Sequence, residues 1–139
     1  MKLLGIDYGA RRIGVAVTDE RGGYIRGLTT IDCRRREPLE AIETLVRSNN
    51  PAKLVFGLPL GPNDEETTRS GEVREFAERV ALRVELPFDF IDESFSSHRA
   101  REVLRFRKKK DRRNKANIDR VAACLILEEY RRQFPCELE

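Results

Sequence analysis

At 139 residues the chain has the length of one ordinary domain, 1–139, and its 40% hydrophobic content can build one core without staples, leaving no room for a second domain. The longest uncharged run, Leu54 to Asn63, is about half the ~20 residues of a membrane span, and Asp7 interrupts the opening apolar stretch too early for a signal peptide, so a soluble cytoplasmic protein without a membrane partner is expected. The net charge of +3 conceals a segregation: residues 99–115 hold ten Lys/Arg against Glu102 and Asp111, which suits an anionic polymer with displaceable counterions, and equally a solvated helix face.

Residues 1–7 open as a strand, and Ile13, Val15 and Val17 alternate with Gly14 and Ala16 in a second. A third, Tyr24 to Thr30, follows the Gly22-Gly23 pair, so the three read as hairpin-connected. Pro38 suits a first helical position; Leu39, Ile42, Leu45 and Val46 recur at helical spacing until Asn49-Asn50-Pro51 stops the helix. Lys53 to Gly57 is a short apolar run of the kind buried on both faces in a parallel sheet.

Val73, Phe76, Ala77, Val80, Ala81 and Val84 form the stripe of a second helix, and extended structure resumes from Pro87 to Ile91, just before Asp92-Glu93. Ser96 or Ser97 caps a helix bearing Ala100, Val103 and Leu104, followed by the polar run 105–115. Asn117 then caps a last, well-buried helix around Val121 to Leu127, with Asp119 in its first turn. The order predicts an α/β fold with a five-stranded mixed sheet, three strands antiparallel and two parallel, and helices on both faces. In such sheets sites form beyond the carboxyl ends of strands, where Asp7 and Glu93 both stand.

An acid at a strand end next to buried structure needs a cation or a local hydrogen bond. Asp7 before Gly9 also fits an Asx turn, Glu93 a solvated loop, and Asp119 a helix N-terminus favoured by the dipole. Carboxylate oxygens suit Mg²⁺ or Mn²⁺, and a pair of such ions serves phosphodiester hydrolysis. No rival constellation stands in the chain: His98 is the one histidine, and Cys33, Cys124 and Cys136 have neither a C-x-x-C spacing nor an even number for disulfides. There is no Walker-type phosphate loop and no serine elbow.

Gly5 to Asp19 (Gly-Ile-Asp-Tyr-Gly-Ala-Arg-Arg-Ile-Gly-Val-Ala-Val-Thr-Asp), Phe56-Gly-Leu-Pro-Leu60, Asn114 to Ala123 and Leu125 to Tyr130 together resemble, in that order, the motifs of the YqgF or RuvX family of Holliday junction resolvase-like proteins, associated with nuclease action on pre-16S ribosomal RNA. The resemblance covers nearly the whole chain. It implies a ribonuclease H-like fold and a metal-dependent nuclease with Asp7, Glu93 and Asp119 as catalytic acids and ligands of two Mg²⁺ or Mn²⁺ ions. It also makes Arg11, Arg12, Arg107, Lys108, Lys109, Lys110, Arg112, Arg113 and Lys115 candidate nucleic-acid contacts. One departure is evident: the family's arginine after the second acid is Ser94 here.

The expected role is 5′-end processing of pre-16S ribosomal RNA, by a monomer or homodimer. The rival readings are a resolvase acting on branched DNA with the same metal chemistry, and a non-catalytic nucleic-acid-binding module. Asp7-x-Gly9 also resembles the first phosphate motif of actin-like phosphotransferases, which need a second domain.

Overall fold

The computed structural model describes residues 1–92 and 115–135, except for the side chains of 115–117. Its elements are β1 (Leu3–Asp7), β2 (Arg12–Thr18), β3 (Ile25–Asp32), α1 (Pro38–Asn49), β4 (Lys53–Leu58), α2 (Thr68–Val84), β5 (Phe88–Asp92) and α3 (Lys115–Gln133). The strands form one sheet in the order β3-β2-β1-β4-β5. β1, β2 and β3 pair antiparallel as hairpins, whereas β4 and β5 join β1 in parallel through the α1 and α2 crossovers. This is the five-stranded mixed α/β sheet expected from the element order. It brings the carboxyl ends of β1, β4 and β5 to one edge.

Local chemistry sets the helix boundaries. Pro38 opens α1, where the Glu37 side chain accepts from Glu40 N–H at 2.7 Å, and Asn50 closes it in the left-handed region at φ 49°. Thr67 and Ser70 cap α2 reciprocally, each side chain accepting from the other's backbone N–H. Two expectations need correction. α3 begins at Lys115 and not after an Asn117 cap, so Asp119 lies in its second turn, and β3 runs on past Thr30 to Asp32.

Because side chains alternate across a strand, the sheet has two different faces. Leu4, Ile6, Ile13, Val15, Val17, Leu54 and Phe56 form one core with Ala41 and Ile42 of α1 and Val73, Phe76, Ala77 and Val80 of α2. Leu3, Ala16, Val55 and Ile91 form the other with Ala123, Ile126, Leu127 and Tyr130 of α3. Burial of α3 agrees with its apolar sequence.

The far end of α3 is tied down by polar contacts. The fully buried Tyr130 accepts from Lys53 Nζ at 2.8 Å and donates to Asp89 Oδ2 at 3.0 Å, and Lys53 is paired with Asp89 at 3.0 Å. Among the described residues no helix is long and apolar enough to cross a membrane.

Candidate active site

Leu3 and Gly5 of β1 face α3, so Asp7, two residues further, emerges on that same face at the strand's last position. Its pairing partner across the hairpin is Gly14 of β2. A Cβ built on Gly14 would stand 2.0 Å from the carbonyl oxygen of Asp119 and 3.1 Å from its Cβ. The missing side chain is therefore what lets the α3 backbone settle on the sheet beside Asp7. Gly5 makes the same allowance eight positions along the helix from Asp119, its absent Cβ lying 2.6 Å from Leu127 Cγ.

Two acids that are remote in the chain thus meet at one sheet edge through small residues. Asp119 is already in ionic contact: Arg12 Nε donates to its Oδ2 at 3.0 Å, with both side chains about three-quarters buried (28% and 24% exposed). Arg12 opens β2, one hairpin step from Asp7. Its guanidinium fixes the orientation of Asp119 and partly offsets the repulsion of converging carboxylates. The pairing is a signal that the sequence does not show, where Arg12 reads as a candidate nucleic-acid contact or as a solvent-exposed hairpin residue.

Asp7 and Asp119 are hard oxygen donors, which fits Mg²⁺ or Mn²⁺ and excludes a soft-metal site of the thiolate kind. Among the described residues no group of three His, Cys, Asp or Glu forms a candidate metal cluster. Glu93 lies outside the described residues, one position after β5 ends at Asp92. Arg107, Lys108, Lys109, Lys110, Arg112, Arg113 and His98 also lie outside them, as does the Lys115 side chain.

The opposite face behind Asp7 is different in character. Tyr8 stacks on Phe76 with ring centroids 4.4 Å apart, beside a cavity of about 140 Å³ lined by Glu72, Glu75 and Arg79. Burial first, and then electrostatic interactions with the neighbouring Cys33 and Glu72, raise the Tyr8 phenol above its ordinary pKa. Tyr8 remains a neutral packing group beneath the strand end. Cys33 and Cys124 are free thiols, both raised in pKa chiefly by burial, Cys124 to about 11. Neither is poised as a nucleophile or metal thiolate.

With this geometry in view, a family model described as "RuvX: Holliday junction resolvase" matches residues 1–133. A relative from Nitratidesulfovibrio vulgaris is 42% identical over 132 residues, covering 94% of this chain and 92% of its own. Another from Crocosphaera subtropica is 39% identical over 129 residues, covering 91% and 90%. Both carry the curated name "Putative pre-16S rRNA nuclease".

Among solved structures, T. thermophilus RuvC in complex with a Holliday junction substrate aligns over 96% of both chains with a TM-score of 0.57 at 16% identity. The yeast mitochondrial Holliday junction resolvase Ydc2 aligns over 98% of this chain and 79% of its own, also with a TM-score of 0.57, at 13% identity. At those identities the likeness establishes the ribonuclease H-like fold.

Proposed function

Because this chain belongs to the RuvX family, a family of hydrolases acting on nucleic acid, we propose that it is a divalent-metal-dependent nuclease for structured RNA whose substrate is the 5′ region of pre-16S ribosomal RNA. The observation that carries the reading is the seating of Asp119 on Gly14, the residue paired with Asp7. No side chain larger than hydrogen fits between β2 and α3 at this point, and the effect of the contact is to hold two carboxylates at the carboxyl edge of the sheet.

Asp7 and Asp119, with Glu93 as the third acid, are the ligands in this reading. Held by them, one or two Mg²⁺ or Mn²⁺ ions would supply Lewis-acid charge for hydrolysis of a phosphodiester. The chain's own residues do the rest. β1 fixes Asp7 rigidly within the central strand, Arg12 holds the Asp119 carboxylate in one orientation, and the apolar base formed by Leu3, Ala16 and Leu127 keeps water from beneath the site. Arg107, Lys108, Lys109, Lys110, Arg112, Arg113 and Lys115 supply phosphate contacts in sequence-independent fashion. Ser94 stands where the family has arginine, so any phosphate contact or orientation of Glu93 that such an arginine supplies must come here from other residues.

The test is cleavage of end-labelled ribosomal precursor, linear RNA and four-way DNA by wild type and Asp7→Asn, each with Mg²⁺ or Mn²⁺. Asn is nearly isosteric but supplies no anionic ligand, so a loss of about a thousandfold or more is expected with an unchanged circular dichroism spectrum. Full activity in Asp7→Asn would overturn the site. Preference for the four-way DNA would overturn the RNA substrate while leaving the chemistry standing.

A further inference from the structure

We propose that Arg11, Arg34, Arg35 and Arg36 form a ledge that binds the phosphate backbone of the polynucleotide beside the acids, a second basic surface separate from residues 99–115. The inference rests on the nuclease reading for its biological substrate but not for its geometry. In the sequence these arginines fall in two short groups, 11–12 and 34–36, of unremarkable charge. The hairpin register joins them: Arg12 pairs with Asp32 across β2 and β3, and Cys33 N–H donates to Arg11 C=O at 2.8 Å, one step further along the same ladder.

Asp32 builds the turn that presents the three consecutive arginines. Its carboxylate accepts from Arg34 N–H at 3.0 Å, and its carbonyl accepts from both Arg35 N–H and Arg36 N–H at 3.0 Å. The backbone is therefore ordered by hydrogen bonds while the side chains stand exposed. Arg11, Arg34 and Arg36 form no ion pair among the described residues, and Arg35 has only a 3.8 Å contact to Asp32 while 86% exposed, too loose to neutralise it. Glu37, the nearest following acid, is occupied as the α1 cap and lies 3.8 Å from Arg83.

The placement ties these charges to the site. Asp7, Gly14 and Thr30 lie in one row across the sheet, so Thr30 is two strand spacings, about 10 Å, from Asp7, and the turn that carries the three arginines begins two residues beyond Thr30, after Asp32, at the same edge. At about 3.4 Å of rise per nucleotide, a helical strand lying over the acids reaches that turn within several nucleotides. Arg12, on the intervening strand, is engaged with Asp119, so the ledge and the acids are served by different arginines.

Binding of fluorescent ribosomal-precursor RNA is measured by anisotropy across a salt series in the full chain carrying Asp7→Asn, so that the readout does not depend on cleavage. Into this background go Arg11→Ser, Arg34→Ser, Arg35→Ser and Arg36→Ser together. A charge-matched control replaces Arg21, Arg26, Arg47 and Arg132, exposed at the other end of the molecule, by Ser. The ledge variant should bind at least tenfold more weakly at about 0.1 M salt. Its slope of log affinity against log salt should flatten by about 0.9 per lost contact on duplex, or about 0.7 on single strands. The control should keep most of the affinity. Unchanged affinity and slope in the ledge variant, or an equal loss in the control, overturns the proposal. The binding series is run without divalent metal, so cleavage retained by Asp7→Asn with Mg²⁺ would overturn the active-site reading and leave this test intact.

Discussion

Gly14→Ala should damage catalysis far more than it damages the fold. The added Cβ would meet the Asp119 carbonyl oxygen at 2.0 Å, and backbone atoms cannot rotate out of the way. Reaching an ordinary contact of about 3.5 Å requires α3 to move from β2 by about 1.5 Å. Overpacking of this size costs about 1–3 kcal/mol, and alanine returns about 0.4–1 kcal/mol by restricting the unfolded chain. The net loss of about 1–2 kcal/mol corresponds to a fall in Tm of about 3–10 °C for a domain of this size. Misplacing a metal-binding carboxylate by about 1 Å or more costs about a hundredfold in rate. Single-turnover cleavage of end-labelled RNA with Mg²⁺, alongside thermal unfolding without metal, separates the two effects. Gly27→Ala is the comparison, since its Cβ meets side-chain atoms of Arg120, the nearest being Cβ at 3.2 Å, and no backbone as close, and it should stay within about threefold of wild type. Wild-type cleavage by Gly14→Ala, with Tm lowered or not, would refute the claim that close seating of α3 positions Asp119.

Arg12→Gln should lower kcat about tenfold with little change in KM, since Arg12 orients Asp119; a raised KM with unchanged kcat would instead show Arg12 on substrate phosphate. Tyr130→Phe removes the hydroxyl that joins Lys53 and Asp89 and should cost about 1–2 kcal/mol in urea unfolding while the cleavage rate stays within about twofold. The Cys124 thiol is held protonated in the fold, with its pKa raised from 9.0 to about 11 by burial first and then by Glu128, so its contribution to stability is complete below about pH 9 and is lost as pH rises towards 11. Urea unfolding at pH 8 and pH 11 should show a smaller alkaline loss in Cys124→Ala than in wild type.

The strands and crossovers were legible because their causes are local. Ile13, Val15 and Val17 alternate with small residues, and all three lie buried in the α1/α2 core; Pro38 and Asn50 bound α1 as their backbone preferences require. The acid at the end of β1 was legible for the same reason. What escaped was tertiary. Arg12 and Asp119 are 107 positions apart, and neither residue's surroundings in sequence reveals the pairing. The signal for the seat of α3 was nonetheless present: Gly5, Gly14 and Ala16 fall on one face of two neighbouring strands, a strip of small residues that only a closely approaching helix explains. The start of α3 was misplaced because Asn117 is a favoured cap, yet Lys115-Ala116 continues the helix backward with better helix formers.

α3 is the last of the described elements in chain order, and it alone among them covers the Leu3, Ala16, Val55 and Ile91 face. On a ribosome adding about 5–20 residues per second, all five strands are made before it. A nascent chain that has reached only β5 therefore carries a sheet with α1 and α2 on one side and an open apolar surface on the other. It also holds Asp7 without Asp119, so the proposed metal-binding edge is unassembled. Synthesis is thereby coupled to assembly of the proposed site: a prematurely terminated product exposes the apolar surface that chaperones and proteases recognise, and it reaches that fate without the second of the two acids.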